Sequence, residues 1–448
     1  MNYMKIKDTS RRNFIKQNSF VGMGLTLFLG ELGKNITGCT SAHVNKNQLF
    51  QKNQITHIGD MTLEQLRDNY HTELFDHFLP NMDRLVVDHK FGGFMSSVDI
   101  KLWKRVSSNK RAWNEGRGIW IYSYLYNNLK KNTGYLEIPQ KSKDFILKQM
   151  PSDDGFWVAS YTREGLPLTG PGDIFGNLYI AEGLTEFAKA TGEHQYLELA
   201  KKITLSAMKR YDASDYSYSA EKQITGPRLL NHWMIFLHNC SQILRYQADP
   251  EIEQVAERCV DAIMNRHLNP EYHLLNQTLT HNLAPISDPA YSQSASLGLG
   301  IQALWMVLFE AGRKKDSQLF QRAAELFKRH VLVAHDPVYG GYFNALDQVD
   351  NYSFNLGKVQ STHMEVLNGA LILIEESGDL WADKYFADTY AYIRQKFVRP
   401  EYAFAVESGD RRVNDHSTGM GTYHYPRNLA MTLVALNRMI KNKATALS

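Results

Sequence analysis

Cysteine is scarce in this sequence, which has three among its 448 residues. No CxxC pair or cluster of histidine and cysteine is present, so nothing indicates a zinc site and we predict no metal. Cys240 and Cys259 could pair, but both fall in apolar helical stretches, where free buried thiols are common. A glycine-rich phosphate loop is also missing, and we therefore predict that the chain uses no cofactor.

A strong excess of one charge is lacking as well. The 50 basic and 47 acidic residues leave a net charge of +3, and the first 38 residues alone carry six basic and two acidic side chains. The remainder is close to neutral and has no basic footprint for nucleic acid, so we expect no such partner. Aromatic residues are plentiful at 12%. They suit either a large aromatic core or the stacking of sugar rings on aromatic faces.

The amino-terminal segment is typical of an export signal. The sequence SRRNFIK at 10–16 resembles the twin-arginine motif, and the apolar run at 20–30 is too short for a permanent transmembrane helix. It leads into Ile36-Thr37-Gly38-Cys39, which resembles a lipobox. We therefore expect a signal peptide at 1–38, lipidation of Cys39 and a linker at 39–60. An ordinary leader that is cleaved elsewhere is the alternative.

These motifs also predict where the protein resides. Twin-arginine export carries folded proteins, so we expect folding before the membrane is crossed. No acidic run follows the cysteine at 40–44, which favours the periplasmic side over the cell surface. The lipid would then be the chain's contact with the membrane.

Helical periodicity dominates from residue 61 onward, with apolar residues at i, i+3, i+4 and i+7. Turn phrases rich in glycine, proline and aromatics recur roughly every sixty residues, a length that accommodates two helices and a connection. These phrases begin at Asp88, Ser152, Ala213, Asn269, Asp336 and Arg399. Six helical hairpins predict an all-α fold, an (α/α)6 toroid or barrel over 61–442. An open helical solenoid is the alternative architecture.

The stretch from Lys110 to Tyr126 resembles the pocket helix of the N-acylglucosamine 2-epimerase family, which has the pattern Lys-x-x-Trp-x-x-Gly-Arg-x-x-Trp-x-Tyr-x-x-Leu-Tyr. Further matches are IFGNLY at 174–179, ATGE at 190–193, GGYF at 340–343, Lys358 with Glu365, and YHYPR at 423–427 beside the family's His-x-Pro-Arg. The resemblance covers about residues 62–440. It implies an (α/α)6 barrel that epimerises or isomerises free sugars at C2.

The resemblance also implies the chemistry. Proton abstraction beside a sugar carbonyl needs a base poised near neutral pH, the role we predict for His424, and donors for the enediolate oxygen. Arg117 suits that donor role, although an ion pair with Glu115 or Glu365 is the alternative. Glu365 would orient His424 or bind a hydroxyl, unless it forms a core salt bridge. The residues predicted to bind substrate are Trp113, Asn177, Tyr291, Gln302, Lys358 and Arg427.

One departure from the family is important. Where the family has a second histidine and a glutamate in Pro-Gly-His-x-x-Glu-x-x-Trp, this chain has Leu299 and Gln302. Leucine has no proton to exchange. Epimerisation usually needs proton transfer on both faces of the carbon, unless the intermediate turns within the site. A single imidazole therefore favours suprafacial aldose–ketose isomerisation, or β-elimination from a uronic acid.

Several alternatives remain open at this point. In a uronate lyase, Tyr423 or Tyr291 would be the base, with Arg117 or Arg427 neutralising the carboxylate. His281 or Tyr291 could replace the second histidine in space. A glycoside hydrolase would need paired carboxylates such as Asp173 and Glu182. A glycan-binding lipoprotein without catalysis is the last alternative, and the principal prediction is a sugar epimerase or isomerase.

Overall fold

The computed structural model describes residues 49–50, 55–151, 155–218, 224–399, 404–405, 408–409 and 419–447. The twin-arginine segment and Cys39 lie outside these residues. Within them, no helix combines the length and the apolar character needed to cross a bilayer.

The described helices are α1 (Leu63–His71), α2 (Leu79–Leu85), α3 (Ala112–Asn128), α4 (Thr133–Leu147), α5 (Ile174–Thr191), α6 (His194–Asp212), α7 (Leu230–Tyr246), α8 (Pro250–Asp261), α9 (Pro289–Ser292), α10 (Leu297–Lys314), α11 (Ser317–Ala334), α12 (Gln360–Ser377), α13 (Leu380–Lys396) and α14 (His424–Leu447). A π-helical segment, Thr72–Phe78, joins α1 to α2, and another, Ala262–Arg266, extends α8.

The helices form two concentric rings. The inner ring consists of α3, α5, α7, α10, α12 and α14, each in contact with the next, and α14 closes the ring against α3. In the outer ring, α4, α6, α8, α11 and α13 each pack on the inner helix that precedes them, while α1 packs on α14. The predicted all-α (α/α)6 barrel is confirmed.

Burial explains which helices are inside. Every residue of α5 from Asn177 to Ala188 is buried, as expected for a helix that is enclosed on all sides. By contrast, α11 buries a stripe that includes Phe320, Ala323 and Phe327 and exposes its opposite face to water. The inner helices are therefore the core of the molecule, and the outer helices shield it. Cys240 and Cys259, on α7 and α8, are buried and free.

Short antiparallel ribbons precede or connect the helices. The described strands are β1 (His57–Ile58), β2 (Met61–Thr62), β3 (Ser97–Asp99), β4 (Lys104–Ser107), β5 (Lys110–Arg111), β6 (Ser160–Tyr161), β7 (Arg228–Leu229), β8 (Leu268–Asn269), β9 (Leu274–Leu275), β10 (Thr278–Leu279), β11 (Ala345–Gln348), β12 (Ser353–Asn355), β13 (Lys358–Val359), β14 (Val398–Arg399), β15 (Phe404–Ala405) and β16 (Ser408–Gly409). They pair as β1–β2, β3–β4, β5–β6, β7–β10, β8–β9, β11–β12, β13–β16 and β14–β15. β5, β7 and β13 run directly into the first residues of α3, α7 and α12.

Two of the turn phrases share one structure. In the first, Asp88 accepts hydrogen bonds from the backbone N–H groups of Lys90 and Phe91 at 3.1 and 3.3 Å. Its other carboxylate oxygen lies 3.1 Å from Nζ of Lys110, and neither side chain is exposed to solvent. Nζ of Lys110 also donates to the carbonyl oxygen of Gly92 at 2.5 Å. A buried ion pair therefore fixes this turn to the start of α3.

The second turn repeats these contacts at the same spacing. Asp336 lies 3.0 Å from Nζ of Lys358, again with both side chains fully buried, and Lys358 also donates to the carbonyl of Gly340. The backbone N–H of Tyr342 donates to Nε2 of His363 at 3.1 Å. The structure thus places Lys358 in the turn, where Asp336 and a carbonyl engage its ammonium. Lys358, predicted to bind substrate, thus has its described contacts within the fold.

No other residue type fits at the second glycine of each turn without strain. Gly93 and Gly341 have φ angles of +86° and +69°. A Cβ on Gly93 would come within 2.4 Å of the Glu115 carboxylate, and one on Gly341 within 2.5 Å of the Tyr392 ring. Both the positive φ and the close approach therefore require glycine.

We predict that Lys358→Met lowers the free energy of unfolding by about 3–5 kcal/mol, because it leaves the buried Asp336 carboxylate without its cation. Chemical denaturation measures the loss. The control is Lys384→Met, which breaks a pair with Asp388 whose side chains are 69% and 60% exposed. That change should cost about 1 kcal/mol or less. Equal small losses in the two variants would show that the buried pair does not hold the turn.

Candidate active site

A cavity of about 670 Å³ opens where three inner helices begin. Its walls come from the first turns of α3, α12 and α14 and from the ribbon β3–β4. The lining residues are Ser96, Ser97, Val98, Val106, Arg111, Trp113, Asn114, Arg117, Val359, Gln360, Ser361, Gly419, Met420, Gly421, Thr422, Tyr423 and His424. The volume is in the range of small-molecule sites. Of the residues predicted from the sequence, His424, Arg117, Tyr423 and Trp113 meet here.

His424 is the first residue of α14 and lines the cavity. Its Nδ1 lies 2.7 Å from Oε1 of Glu365, and its side chain is 25% exposed. Since the carboxylate can only accept, Nδ1 carries the proton and Nε2 keeps a free lone pair. The imidazole is thus held in the tautomer that a general base requires.

Glu365, on α12, has donors around both of its oxygens. Arg427 donates to Oε1 at 2.6 Å, while Trp305 and Asn368 donate to Oε2 at 2.6 and 3.3 Å. Burial raises the pKa of this carboxyl, but the charge of Arg427 and the hydrogen bond from His424 outweigh it and lower the pKa to about 2. Glu365 is therefore anionic throughout the physiological range. Its position fits the predicted role of orienting His424.

The environment of His424 keeps the ring neutral near pH 7. Burial lowers its pKa below the ordinary histidine value, and the charges of Arg427 and Arg117 lower it further. Glu365 acts in the opposite direction without cancelling these effects. The same carboxylate would stabilise the imidazolium once a proton arrives. This combination suits a base that accepts a proton from carbon.

Arg117 is held against aromatic rings rather than by a carboxylate. Its Nη2 donates to the hydroxyl of Tyr179 at 2.7 Å, and its guanidinium lies over the rings of Tyr179, Tyr423 and Trp113 at 4.1, 4.5 and 5.3 Å. Its Nε is buried and has no hydrogen-bond partner among the described residues. Neither alternative ion-pair partner engages it, because Glu115 accepts from Phe94 N–H and Ser142, and Glu365 pairs with Arg427 and His424. Since Arg117 lines the cavity, its guanidinium can offer donors to an oxygen there.

A second polar network lies beneath the cavity floor. The Tyr423 hydroxyl donates to Glu182 at 3.2 Å, and Gln242 donates to the same oxygen at 2.8 Å. Nδ1 of His238 lies 3.1 Å from it, with both side chains buried. Nε1 of Trp120 donates to Gln242 at 2.9 Å. No sequence motif indicated this network, although Glu182 and His238 lie about one repeat apart on neighbouring inner helices and both are buried.

The network argues against two of the alternative functions, a uronate lyase with Tyr423 as its base and a glycoside hydrolase with Asp173 and Glu182 as its carboxylates. Burial and the nearby Glu182 hold the pKa of Tyr423 far above its usual value, so this phenol does not supply a base near neutral pH. Asp173 accepts from Phe175 N–H as the N-cap of α5. Since Glu182 is engaged by His238, the two carboxylates do not form the pair that a glycoside hydrolase needs.

The remaining predicted substrate-binding residues do not line the cavity. Asn177 is buried and holds a turn by accepting from Trp157 N–H at 3.1 Å and donating to the Gly155 carbonyl at 3.3 Å. Arg427 and Gln302 are buried below the surface of the site. Tyr291 lies on α9, at the end of the short segment that precedes α10.

The structure also shows lining residues that the motifs did not indicate, namely Arg111, Asn114, Gln360, Ser361 and Thr422. Each lies at or just before the start of an inner helix, and that position was the available signal. His281 lies elsewhere, with its Nδ1 2.8 Å from Arg228. Among the described residues that line the cavity, His424 is the single imidazole. Leu299, in place of the family's second histidine, lies partly buried in the first turn of α10.

The sequence matches the profile of the N-acylglucosamine 2-epimerase (GlcNAc 2-epimerase) family over residues 93–425. It is similar to the N-acylglucosamine 2-epimerase of Homo sapiens, with 24% identity over 383 residues that cover 80% of this chain and 87% of the human protein. Its fold is similar to that of cellobiose 2-epimerase from Spirochaeta thermophila, with a TM-score of 0.72, 18% identity and coverage of 84% and 98% of the two chains. A D-mannose isomerase has a TM-score of 0.68 at 14% identity, with coverage of 85% and 97%.

We predict that Glu365→Gln lowers the pKa of His424 by about one unit or more, because it removes the charge that favours the imidazolium. An NMR titration of the histidine ring protons measures this shift. The control is Glu375→Gln, on the same helix, which removes an outlying partner of Arg438 and should leave the His424 titration in place. A near-ultraviolet circular dichroism spectrum verifies that each variant is folded. An unchanged or raised pKa in folded Glu365→Gln would contradict the pairing.

Proposed function

The chain belongs to the N-acylglucosamine 2-epimerase family, and on that premise we propose that it is a sugar isomerase in which His424 moves a proton at C2. The observation that carries this proposal is the His424–Glu365 pair, which presents a neutral imidazole nitrogen to a cavity large enough for a hexose. The substrate is a free aldose in its open-chain form, since only that form has a carbonyl beside C2.

The first step breaks the C2–H bond. Nε2 of His424 takes the proton, and the electron pair forms the C1=C2 bond of an enediolate whose negative charge rests on the carbonyl oxygen. Arg117 stabilises that oxygen, because its guanidinium lines the cavity and lies close enough to His424 to lower the pKa of the ring. Glu365 stabilises the imidazolium that forms at the same moment.

The second step decides between the two products. If the proton of the C2 hydroxyl moves to the C1 oxygen and the imidazolium delivers its proton to C1 on the same face, the product is a ketose with its carbonyl at C2. Delivery of a proton to the opposite face of C2 instead gives the epimer. Among the described lining residues, His424 alone has a proton that exchanges near neutral pH. This favours same-face delivery, so we propose aldose–ketose isomerisation as the main reaction and C2 epimerisation as the slower one.

We predict that the protein, incubated with an aldose in D₂O, produces a ketose and incorporates deuterium at the carbon that receives the proton. The panel comprises mannose, glucose, an N-acylglucosamine and cellobiose, and NMR follows both exchange and product. His424→Gln should reduce the exchange rate by about 10²–10⁴-fold, the usual contribution of a general base. His281→Gln, outside the cavity, is the matched histidine control. Failure of wild-type protein to exchange any sugar would overturn the proposal, as would exchange that survives in His424→Gln.

The pH dependence follows from the same base. His424 must be unprotonated to accept a proton, so kcat/KM should fall as the pH drops through its pKa in the free enzyme. Because burial lowers that pKa, the midpoint of the acid limb should lie below about 6.5, the ordinary histidine value. A profile from pH 4 to 8 measures it. A midpoint well above 6.5 would exclude His424 in this environment as the group that titrates.

We further propose that the protein is exported by the twin-arginine route and anchored through lipid on Cys39, on the periplasmic side. The support is the order of the motif at 10–16, the apolar run and the lipobox. Labelling with a radioactive fatty acid should mark the wild type and not Cys39→Ala. Replacing Arg11 and Arg12 with lysine should leave the protein in the cytoplasmic fraction. Lipid labelling of Cys39→Ala, or export of the double-lysine variant, would contradict this route.

A further inference from the structure

Among the described residues, the charges that line the cavity are all of one sign. Arg111 and Arg117 contribute two guanidinium groups, and no aspartate or glutamate is among the described residues that line the space. Neither arginine has a carboxylate within ion-pair distance in the described part of the chain. Elsewhere on the surface, Arg210, Arg258 and Arg438 each pair with a carboxylate. The cavity therefore holds cations that no carboxylate of the described residues neutralises.

The two guanidinium groups share one aromatic ring. The centroid of the Trp113 indole lies 5.9 Å from the guanidinium carbon of Arg111 and 5.3 Å from that of Arg117. Trp113 itself lines the cavity and is partly exposed. Arg117 lies towards the interior against Tyr179 and Tyr423, whereas Arg111 is exposed, in the strand just before α3. The indole thus connects an inner cation with one at the rim.

The described surroundings of the cavity do not offset these charges. The carboxylates below the floor are already engaged, Glu365 by Arg427 and His424, and Glu182 by Tyr423 and Gln242. Moreover, the amino-terminal ends of α3, α12 and α14 open at the cavity, and the partial positive charge of a helix amino terminus adds to the field. An anion in this cavity would be attracted from several sides.

We propose that the natural substrate is an acidic sugar, with a carboxylate or phosphate at the end of the molecule remote from the reacting carbonyl. The open carbon chain of the sugar packs on Trp113, its C1–C2 end faces His424 and Arg117, and its anionic group pairs with Arg111. The two arginines have different roles because they occupy different positions. Arg117 lies near His424, whereas Arg111 is exposed at the rim of the cavity. In this scheme Arg111 is a specificity-determining residue. The placement of the reacting C1–C2 end of the sugar rests on the proposed function.

The kinetic test compares matched neutral and anionic aldoses. Glucose is measured against glucuronate and glucose 6-phosphate, and mannose against mannuronate and mannose 6-phosphate. The wild type should favour at least one anionic member of each set by tenfold or more in kcat/KM, and added salt should reduce the preference. Arg111→Gln should reduce that ratio by tenfold or more, chiefly through KM, and Arg111→Lys should restore part of it. The carboxylate and phosphate arms show which anion is used.

The controls separate this inference from the proposed reaction. Arg210→Gln, an exposed arginine on the outer ring, should leave the ratio at its wild-type value. Calorimetric binding of gluconate and sorbitol 6-phosphate, which have no aldehyde to react, reports anion recognition without turnover. If these bind through Arg111 while no aldose exchanges, the inference stands and the proposed function fails. If neutral aldoses exchange through His424 and anionic ones gain nothing, the function stands and the inference is overturned.

Discussion

The inner ring depends on one buried carboxylate, which links three inner helices and also contacts the histidine in the cavity. Glu365, on α12, accepts hydrogen bonds from Trp305 on α10 and from His424 and Arg427 on α14. These contacts fix three consecutive inner helices to one another at the level of the cavity. An unpaired charge in this position would cost several kcal/mol, so the partners must all be in place. The interaction that orients His424 is thus also one that holds the barrel together.

The repeat length explains much of what the sequence could predict. Apolar periodicity and the recurring turn phrases were sufficient for the helices, the two rings and their closure. The same period relates side chains across the inner ring, since partners on neighbouring helices are about one repeat apart. Glu182 and Gln242, Trp305 and Glu365, and Asn368 and Asn428 are each separated by 60 residues. This spacing could have been used to predict the network beneath Tyr423, because buried polar residues at that interval face one another.

Two of the residues predicted to bind substrate have contacts within the fold that the sequence did not reveal. Lys358 and Asn177 occur in motifs shared with sugar-converting enzymes, but their polar atoms satisfy buried turns rather than a ligand. A motif indicates that a residue type is required at a position. It does not indicate whether the fold or the substrate requires that residue. Arg111 is the converse case, because no motif marks it and its importance depends on which groups surround it. Such surroundings involve chain segments that are distant in sequence.

The helix that carries His424 also closes the ring. α14 contacts both α3 and α1, so helices that are far apart in the chain meet beside the histidine. A chain cut before α14 would retain most of the described helices but would have neither a closed ring nor the proposed proton acceptor. Ring closure and the proposed base are therefore gained or lost together.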